Sequence, residues 1–258
     1  MFADGYQKSD THLHPNIIRN PGQARSFIEQ AISLGFDMIC FTDHMYHPAY
    51  DAKDRMLPGT AVQYCQTVRD LAKEYKEQIT IKCGIEIDYY PPDEEHINNI
   101  LKEAEFDHVL GSTHFHLPYY GLKLQTLEKD SFAELALNNT MECVKSGLFD
   151  TLSHLDFFRW ALFTTTRFTF SESDYHLENH LSKIQKILAT LEKQGMCLEV
   201  NSSGIYKGFD ERGPHPEWEI LEMAKQFKLR YVFGSDAHRA ENVGRNYDQI
   251  AARVNLHG

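Results

Sequence analysis

The chain has 258 residues, 42% of them hydrophobic and 24% charged, the balance of a globular protein long enough to bury a sizeable core. Its formal net charge is -11 and no Lys/Arg run offsets it, which argues against broad nucleic-acid or anionic-membrane binding. A small phosphorylated substrate stays compatible, because a metal and one or two local cations reverse the field around them.

In chain order, Met1 to Asp10 is polar and carries no apolar targeting core. The first candidate strand ends in Asp10-Thr11-His12-Leu13-His14. A helix is expected over residues 22–34, with Gly35 after it, then an apolar run over 38–41 that leads into Thr42-Asp43-His44. A second helix over 60–75 carries a Tyr64/Val68/Leu71 stripe that reads as core. The run over 79–87 leads into Glu86-Ile87-Asp88, and a helix over 93–104 follows. The run over 108–111 leads into Ser112-Thr113-His114, before a helix over 131–146. The run over 151–155 holds Ser153-His154-Leu155-Asp156. The helix over 174–193 has an acidic start and a Lys-rich end closed by Gly195. The run over 197–200 leads into Asn201-Ser202-Ser203-Gly204, a helix follows over 215–227, and the run over 231–234 leads into Ser235-Asp236-Ala237-His238.

Strands alternating with helices predict parallel βαβ units, and six or seven of them in this length favour a closed α/β barrel over an open sheet. One domain over 1–258 is expected. Such barrels carry their chemistry at the C-terminal strand ends, where each apolar run here meets His, Asp, Glu or Asn. A single histidine after a strand is ordinarily a surface or hydrogen-bonded residue. His12 and His14 are two apart on an extended strand, so both rings share a face, as do Asp236 and His238. Neutral imidazoles with carboxylates suit Zn, Fe or Mn. The candidate metal ligands His12, His14, His44, Glu86, His114, His154, Asp236 and His238 exceed what one ion takes, so two or three divalent ions are expected. Clustered ions clamp phosphoryl oxygens and lower the pKa of a bridging water, giving a hydroxide nucleophile. Asp10, Asp43 and Asp156 either orient imidazoles or are simply exposed. The five cysteines, Cys40, Cys65, Cys83, Cys143 and Cys197, are odd in number and form no C-x-x-C, as expected of free thiols in a reducing compartment. No apolar run approaches the ~20 residues that span a bilayer, so a cytoplasmic protein is expected.

Together, D-x-H-x-H, T-D-H, G-x-E, G-S-x-H, S-H-x-D and G-S-D-A-H resemble the polymerase and histidinol phosphatase (PHP) superfamily, from Asp10 to about Gly244. Residues 153–159 and 198–204 look most like its monofunctional histidinol-phosphate phosphatases. The resemblance implies a distorted (β/α)7, TIM-like barrel and hydrolysis of a small phosphomonoester, with a place in histidine biosynthesis. It implies one ion on His12, His14, Glu86 and Asp236, a second on Glu86, His114 and His154, and a third on His44 and His238. The third site's usual further histidine is replaced here by Asn20, a weaker ligand. An arginine usual two residues after the N-S-S-G turn is replaced by Tyr206, then Lys207.

Asp236, His238 and Arg159 form the candidate catalytic set, with Arg159 neutralising phosphate oxygens and His238, a carboxylic acid or water protonating the leaving group. Arg159, Lys207, Ser203 and His116 form the candidate substrate-binding set. The turn at Ser203 offers backbone N–H groups to an anion or is an ordinary strand-to-loop turn; His116, like His47, lines the pocket mouth or is a loop histidine. Phe115, Tyr119 and Tyr120 shape a pocket or pack on the rim. Alternatives are a phosphoesterase for a sugar or nucleotide phosphate, a non-catalytic metal-binding PHP module, and an amidohydrolase-like barrel cleaving a C–N bond.

Overall fold

The computed structural model of the protein describes residues 6–47, 53–114, 126–164, 169–170, 174–206 and 212–256. His116, Lys207, Phe115, Tyr119 and Tyr120 lie outside them, as does the side chain of Tyr206.

The elements are β1 (Ser9–Leu13), α1 (Gln23–Ser33), β2 (Met38–Phe41), α2 (Ala61–Glu74), β3 (Thr80–Asp88), α3 (Glu94–Glu103), β4 (His108–Ser112), β5 (Thr126–Leu127), α4 (Lys129–Ser146), β6 (Thr151–Leu152), α5 (Phe158–Thr164), β7 (Thr169–Phe170), α6 (Leu181–Gln194), β8 (Cys197–Asn201), α7 (Ser203–Tyr206), α8 (Trp218–Ala224), β9 (Arg230–Gly234) and α9 (Tyr247–Ala251). A seven-stranded sheet runs β1-β2-β3-β4-β6-β8-β9, with every neighbouring pair parallel. Its outer strands meet at one end. Asp236 N–H donates to the His12 carbonyl and His14 N–H to that of Ala237, both at 2.9 Å, and Leu13 bridges Ala237 in parallel register. The sheet is therefore a nearly closed barrel, the TIM-like arrangement expected from the alternation. Sheets of this kind are covered on both faces: β1 and β2 are buried along their whole lengths.

Helices α1 and α6 each bury an apolar face. Ala24, Phe27, Ile28 and Ala31 of α1 are buried, as are Ile184, Ile187, Leu188 and Leu191 of α6, spaced three and four apart as an α-helix requires. Gly195 ends α6 in the left-handed region at φ 68°, which a glycine takes without steric cost. All five cysteines are free.

The structure departs from the sequence pattern where tertiary pairing competes. The helix expected from residue 174 begins at Leu181, preceded by a 3-10 turn at Leu177–Asn179. The one expected from residue 215 begins at Trp218, because His215 is held extended: its N–H donates to the Asn201 carbonyl and its carbonyl accepts the Asn201 N–H. The apolar run over 151–155 is a strand only as far as Leu152. The short parallel pair β5–β7 and helices α5, α7 and α9 have no counterpart in the predicted elements. No helix among the described residues is long and apolar enough to cross a membrane.

Candidate metal centre

Period-two alternation along the strands sends the site residues inward. Glu86, on β3, is 1% exposed and lies at the middle of them. Its Oε2 is 3.4 Å from His12 Nε2, 3.3 Å from His14 Nε2 and 2.7 Å from His44 Nδ1. Its Oε1 is 3.0 Å from His154 Nε2 and 3.7 Å from His114 Nε2, and accepts a hydrogen bond from Ser112 Oγ. One carboxylate thus faces two sets of imidazoles with its two oxygens. Asp236 Oδ1 stands 3.5 Å from His14 Nε2 and 3.5 Å from His238 Nδ1. Asp236 takes a left-handed φ of 52°, an unusual conformation that aspartate tolerates better than most residues.

Three overlapping groups of ligand atoms result among the described residues, each within 4.8 Å: His12–His14–Glu86, Glu86–His114–His154 and His14–His44–His238. Asn20 is exposed, and its Nδ2 donates to Gln23 Oε1 at 2.7 Å; the third group takes His14 beside His44 and His238.

The donor set fits divalent metal ions. His12 Nε2, both ring nitrogens of His14, His44 Nδ1, Glu86 Oε2 and His154 Nδ1 are buried and make no hydrogen bond. Buried polar atoms without partners are costly and rare, and most of these gather around Glu86. Burial, with the imidazoles of His44, His238 and His12 close by, holds His14 well below the usual histidine pKa, so it stands as neutral imidazole, the ligating form. Burial opposes ionisation of Glu86, yet His12, His44 and His114 outweigh it and hold the carboxyl well below its usual range.

Two carboxylates orient the rings. Glu199 Oε1 accepts from His12 Nδ1 at 2.6 Å, which turns Nε2 toward Glu86; its Oε2 accepts the His154 N–H at 2.8 Å and Asn201 Nδ2 at 3.2 Å. Gly234 makes room for this pair, since a Cβ there would lie 1.8 Å from Glu199 Oε1 and 2.8 Å from His12 Cβ. Asp88 Oδ1 likewise accepts from His114 Nδ1. This is the carboxylate–histidine arrangement that fixes a ligand's tautomer. Both residues sit two positions from another inward side chain, Glu199 from Asn201 and Asp88 from Glu86, and that spacing is the signal that points to them.

Asp10, Asp43 and Asp156 do other work. Asp10 accepts the N–H groups of Ser235 and Gly244 at 3.0 and 2.9 Å. Asp43 accepts those of Asn16 and Ile17, both at 2.7 Å. Both therefore staple loops, and burial pushes both carboxyls up to about 6. Asp156 does orient an imidazole, but that of His215, at 2.7 Å.

Arg159, expected to present its charge to a phosphate, is 0% exposed. Nε lies 2.9 Å from Asp156 Oδ2, Nη1 3.7 Å from Glu217 Oε2, and Nη2 donates to the Pro214 carbonyl. Two carboxylates already face the guanidinium, and segment 214–217 closes over it. At the turn around Ser203, two backbone N–H groups already have partners. Ser202 N–H donates to the Gly234 carbonyl at 2.8 Å and Ser203 N–H to Asn201 Oδ1 at 2.9 Å, so both are used within the turn. Ser203 itself is 0% exposed. His47 is buried and pairs with Asp93 at 2.6 Å.

Known proteins share this architecture. A histidinol-phosphatase of Bacillus subtilis is 27% identical over 267 residues, covering 96% of this chain and 99% of its own. A probable histidinol-phosphatase of Deinococcus radiodurans is 28% identical, covering 95% and 92%. A crystal structure of histidinol phosphate phosphatase from Lactococcus lactis, complexed with Zn, L-histidinol and phosphate, superposes with a TM-score of 0.74 at 20% identity, over 95% of this chain and 93% of that one. The PHP domain matches residues 10–203, the PHP-associated family matches residues 215–256, and the chain belongs to the PHP family.

Proposed function

We propose that the protein is a metal-dependent phosphomonoesterase that converts L-histidinol phosphate and water to L-histidinol and phosphate, a reaction of histidine biosynthesis. The observation that carries the reaction class is Glu86, whose two oxygens face two separate groups of histidines. A carboxylate so placed holds two cations side by side, the spacing that serves displacement at phosphorus. The substrate assignment draws on the curated relatives named histidinol-phosphatase, which match over nearly their whole length.

His12, His14, Glu86 and Asp236 would hold one ion, Glu86, His114 and His154 a second, and His44 and His238 with His14 a third, each Zn, Fe or Mn. Bound there, the ions neutralise charge on the phosphoryl oxygens and activate water for in-line attack. Glu199 and Asp88 keep the protons of His12 and His114 on Nδ1, so the opposite nitrogens stay available. His238 is the most open of these histidines, its side chain 43% exposed. Its Nδ1 lies 3.1 Å from the Asp236 carbonyl oxygen, and the ring would either carry a proton to the leaving alkoxide or help hold the third ion. With Arg159 enclosed, neutralisation of phosphate rests on the metal centre and on Lys207 or His116. The net charge of -11 supports a small substrate over nucleic acid.

The test is one assay pair on the purified protein: bound metals per chain, and hydrolysis of histidinol phosphate beside a panel of phosphomonoesters. Two or more metals with a preference for histidinol phosphate are expected. Fewer than two metals and no hydrolysis would sink the reading. A preference for a sugar or nucleotide phosphate would keep the reaction and remove the substrate.

A further inference from the structure

Arg55 lies outside the strands and helices, and no motif contains it. Yet it is 3% exposed, a rare state for arginine unless it is paired. Its backbone is fastened beside the metal centre. It forms a parallel bridge with His44, Met56 N–H donates to the His44 carbonyl at 3.0 Å, and Arg19 Nε donates to the Arg55 carbonyl at 2.7 Å. Its guanidinium turns inward, where Nη1 donates to the Met45 carbonyl at 3.0 Å and Nη2 pairs with Asp88 Oδ2. The other oxygen of Asp88 accepts from His114 Nδ1.

We infer that Arg55 is a positioning residue for the half of the centre formed by Glu86, His114 and His154. It acts through Asp88. That carboxylate is 1% exposed and lies on the same strand face as Glu86, so it needs a counter-charge to stay in place as an anion. With Arg55 on one oxygen, Asp88 keeps the other for His114 Nδ1–H, and the Nε2 lone pair is aimed at the ion. His12 depends on no such residue among those described. Its partner Glu199 is steadied by the His154 N–H and by Asn201 Nδ2, one on the adjoining turn and one on β8. The two halves of the centre therefore differ: one is braced from within the barrel, the other from the segment carrying Arg55. The inference rests on the metal-centre reading above and is independent of the substrate.

The experiment is calorimetric titration of the full chain with Zn2+ and with Mn2+, alongside melting temperatures. The proteins are the parent, Arg55→Met, Arg55→Lys, Asp88→Asn and the Arg55→Met/Asp88→Asn pair. Arg55→Met and Asp88→Asn are each expected to weaken one class of bound ion by about 10- to 100-fold, the usual effect of losing a group that orients a ligand, and to spare the other class. The double variant should lose no more than the weaker-binding single variant, because both act along one path. Arg55→Lys, which keeps a charge for Asp88, should recover part of the affinity even where its melting temperature stays low. A merely structural Arg55 would instead lower the melting temperature and leave the ion classes equally affected. Ions bound as in the parent, or additive losses in the double variant, would overturn the inference. A parent that binds no ion would overturn the metal-centre reading itself. Should Arg55→Met not fold, Arg55→Lys and Asp88→Asn carry the same comparison.

Discussion

Two buried, charge-rich regions share the barrel rim and differ in how their polar atoms end. Around Glu86, on the β1–β3 side, the rings of His12, His14 and His44 converge on one carboxylate with nitrogens that make no hydrogen bond. Around Arg159, on the other side, the charges close on one another: Arg159 meets Asp156 and Glu217, and Asp156 meets His215. Burial and charge are alike in the two places. What separates the two regions is whether a fixed cation of the chain already faces the carboxylates: a guanidinium does so around Asp156 and Glu217, whereas imidazoles surround Glu86. That distinction also explains why Arg159, conspicuous as a phosphate ligand in sequence, is enclosed in the fold.

Three perturbations test the contrast, in falling order of effect. Glu86→Gln removes the charge that both groups of imidazoles share. Bound metal should fall below one ion per chain and turnover by about a thousandfold or more, the scale of losing a group that acts on transition-state charge, with the fold retained by circular dichroism. Arg159→Met should do the reverse. It strands Asp156 and Glu217 without their cation, a loss of about 3–5 kcal/mol of stability for a broken buried pair, while metals per chain stay at the parent value. If Arg159→Met empties the metal sites, the two regions are one unit and the comparison fails.

The third perturbation is pH. Burial, then the nearby Arg159, lowers His215 from 6.5 to about 4. A histidine depressed in the folded state contributes stability that is present above pH 6.5 and lost as pH falls through about 4, up to about 3 kcal/mol over that window. Asp10 and Asp43 work in the opposite sense: raised to about 6 by burial, they contribute stability at low pH that is lost as pH rises through about 6. The parent curve mixes these terms, so the informative quantity is the difference between parent and His215→Gln in denaturant titrations at several pH values. The difference should shrink as pH falls; a difference that stays constant from pH 7 to about 4 would show that His215 does not titrate with folding.

Much of this was legible in the chain. The apolar run over 38–41 is β2 to the residue, and the candidate ligands cluster where apolar runs end. Helix C-termini were readable from Gly35 and Gly195 because glycine takes a conformation that other residues resist. What stayed hidden was pairing at long range. Glu199 and Asp88 announce themselves by two-residue spacing, yet nothing local says that one holds His12, 187 positions away, and the other His114. Nothing local says that Arg159 is enclosed, because Pro214 and Glu217, which enclose it, come more than fifty residues later. The late start of α8 has the same origin, since His215 pairs with Asn201 instead of entering the helix.

The closure of the barrel sets an order on how the molecule comes to hold metal. His12 lies on its first strand and His14 just after it, Asp236 and His238 just beyond its last, and the seam is sealed by contacts such as Thr11 Oγ1 donating to the Phe233 carbonyl at 2.9 Å, 222 residues apart. Contacts of such separation form late, after the intervening chain has condensed. A nascent chain emerging from the ribosome carries most of the histidines long before it can arrange them. Under the proposed ligand assignment, ion capture that needs Asp236 and His238 would belong to the finished molecule, and its onset would report that the seam has been sealed.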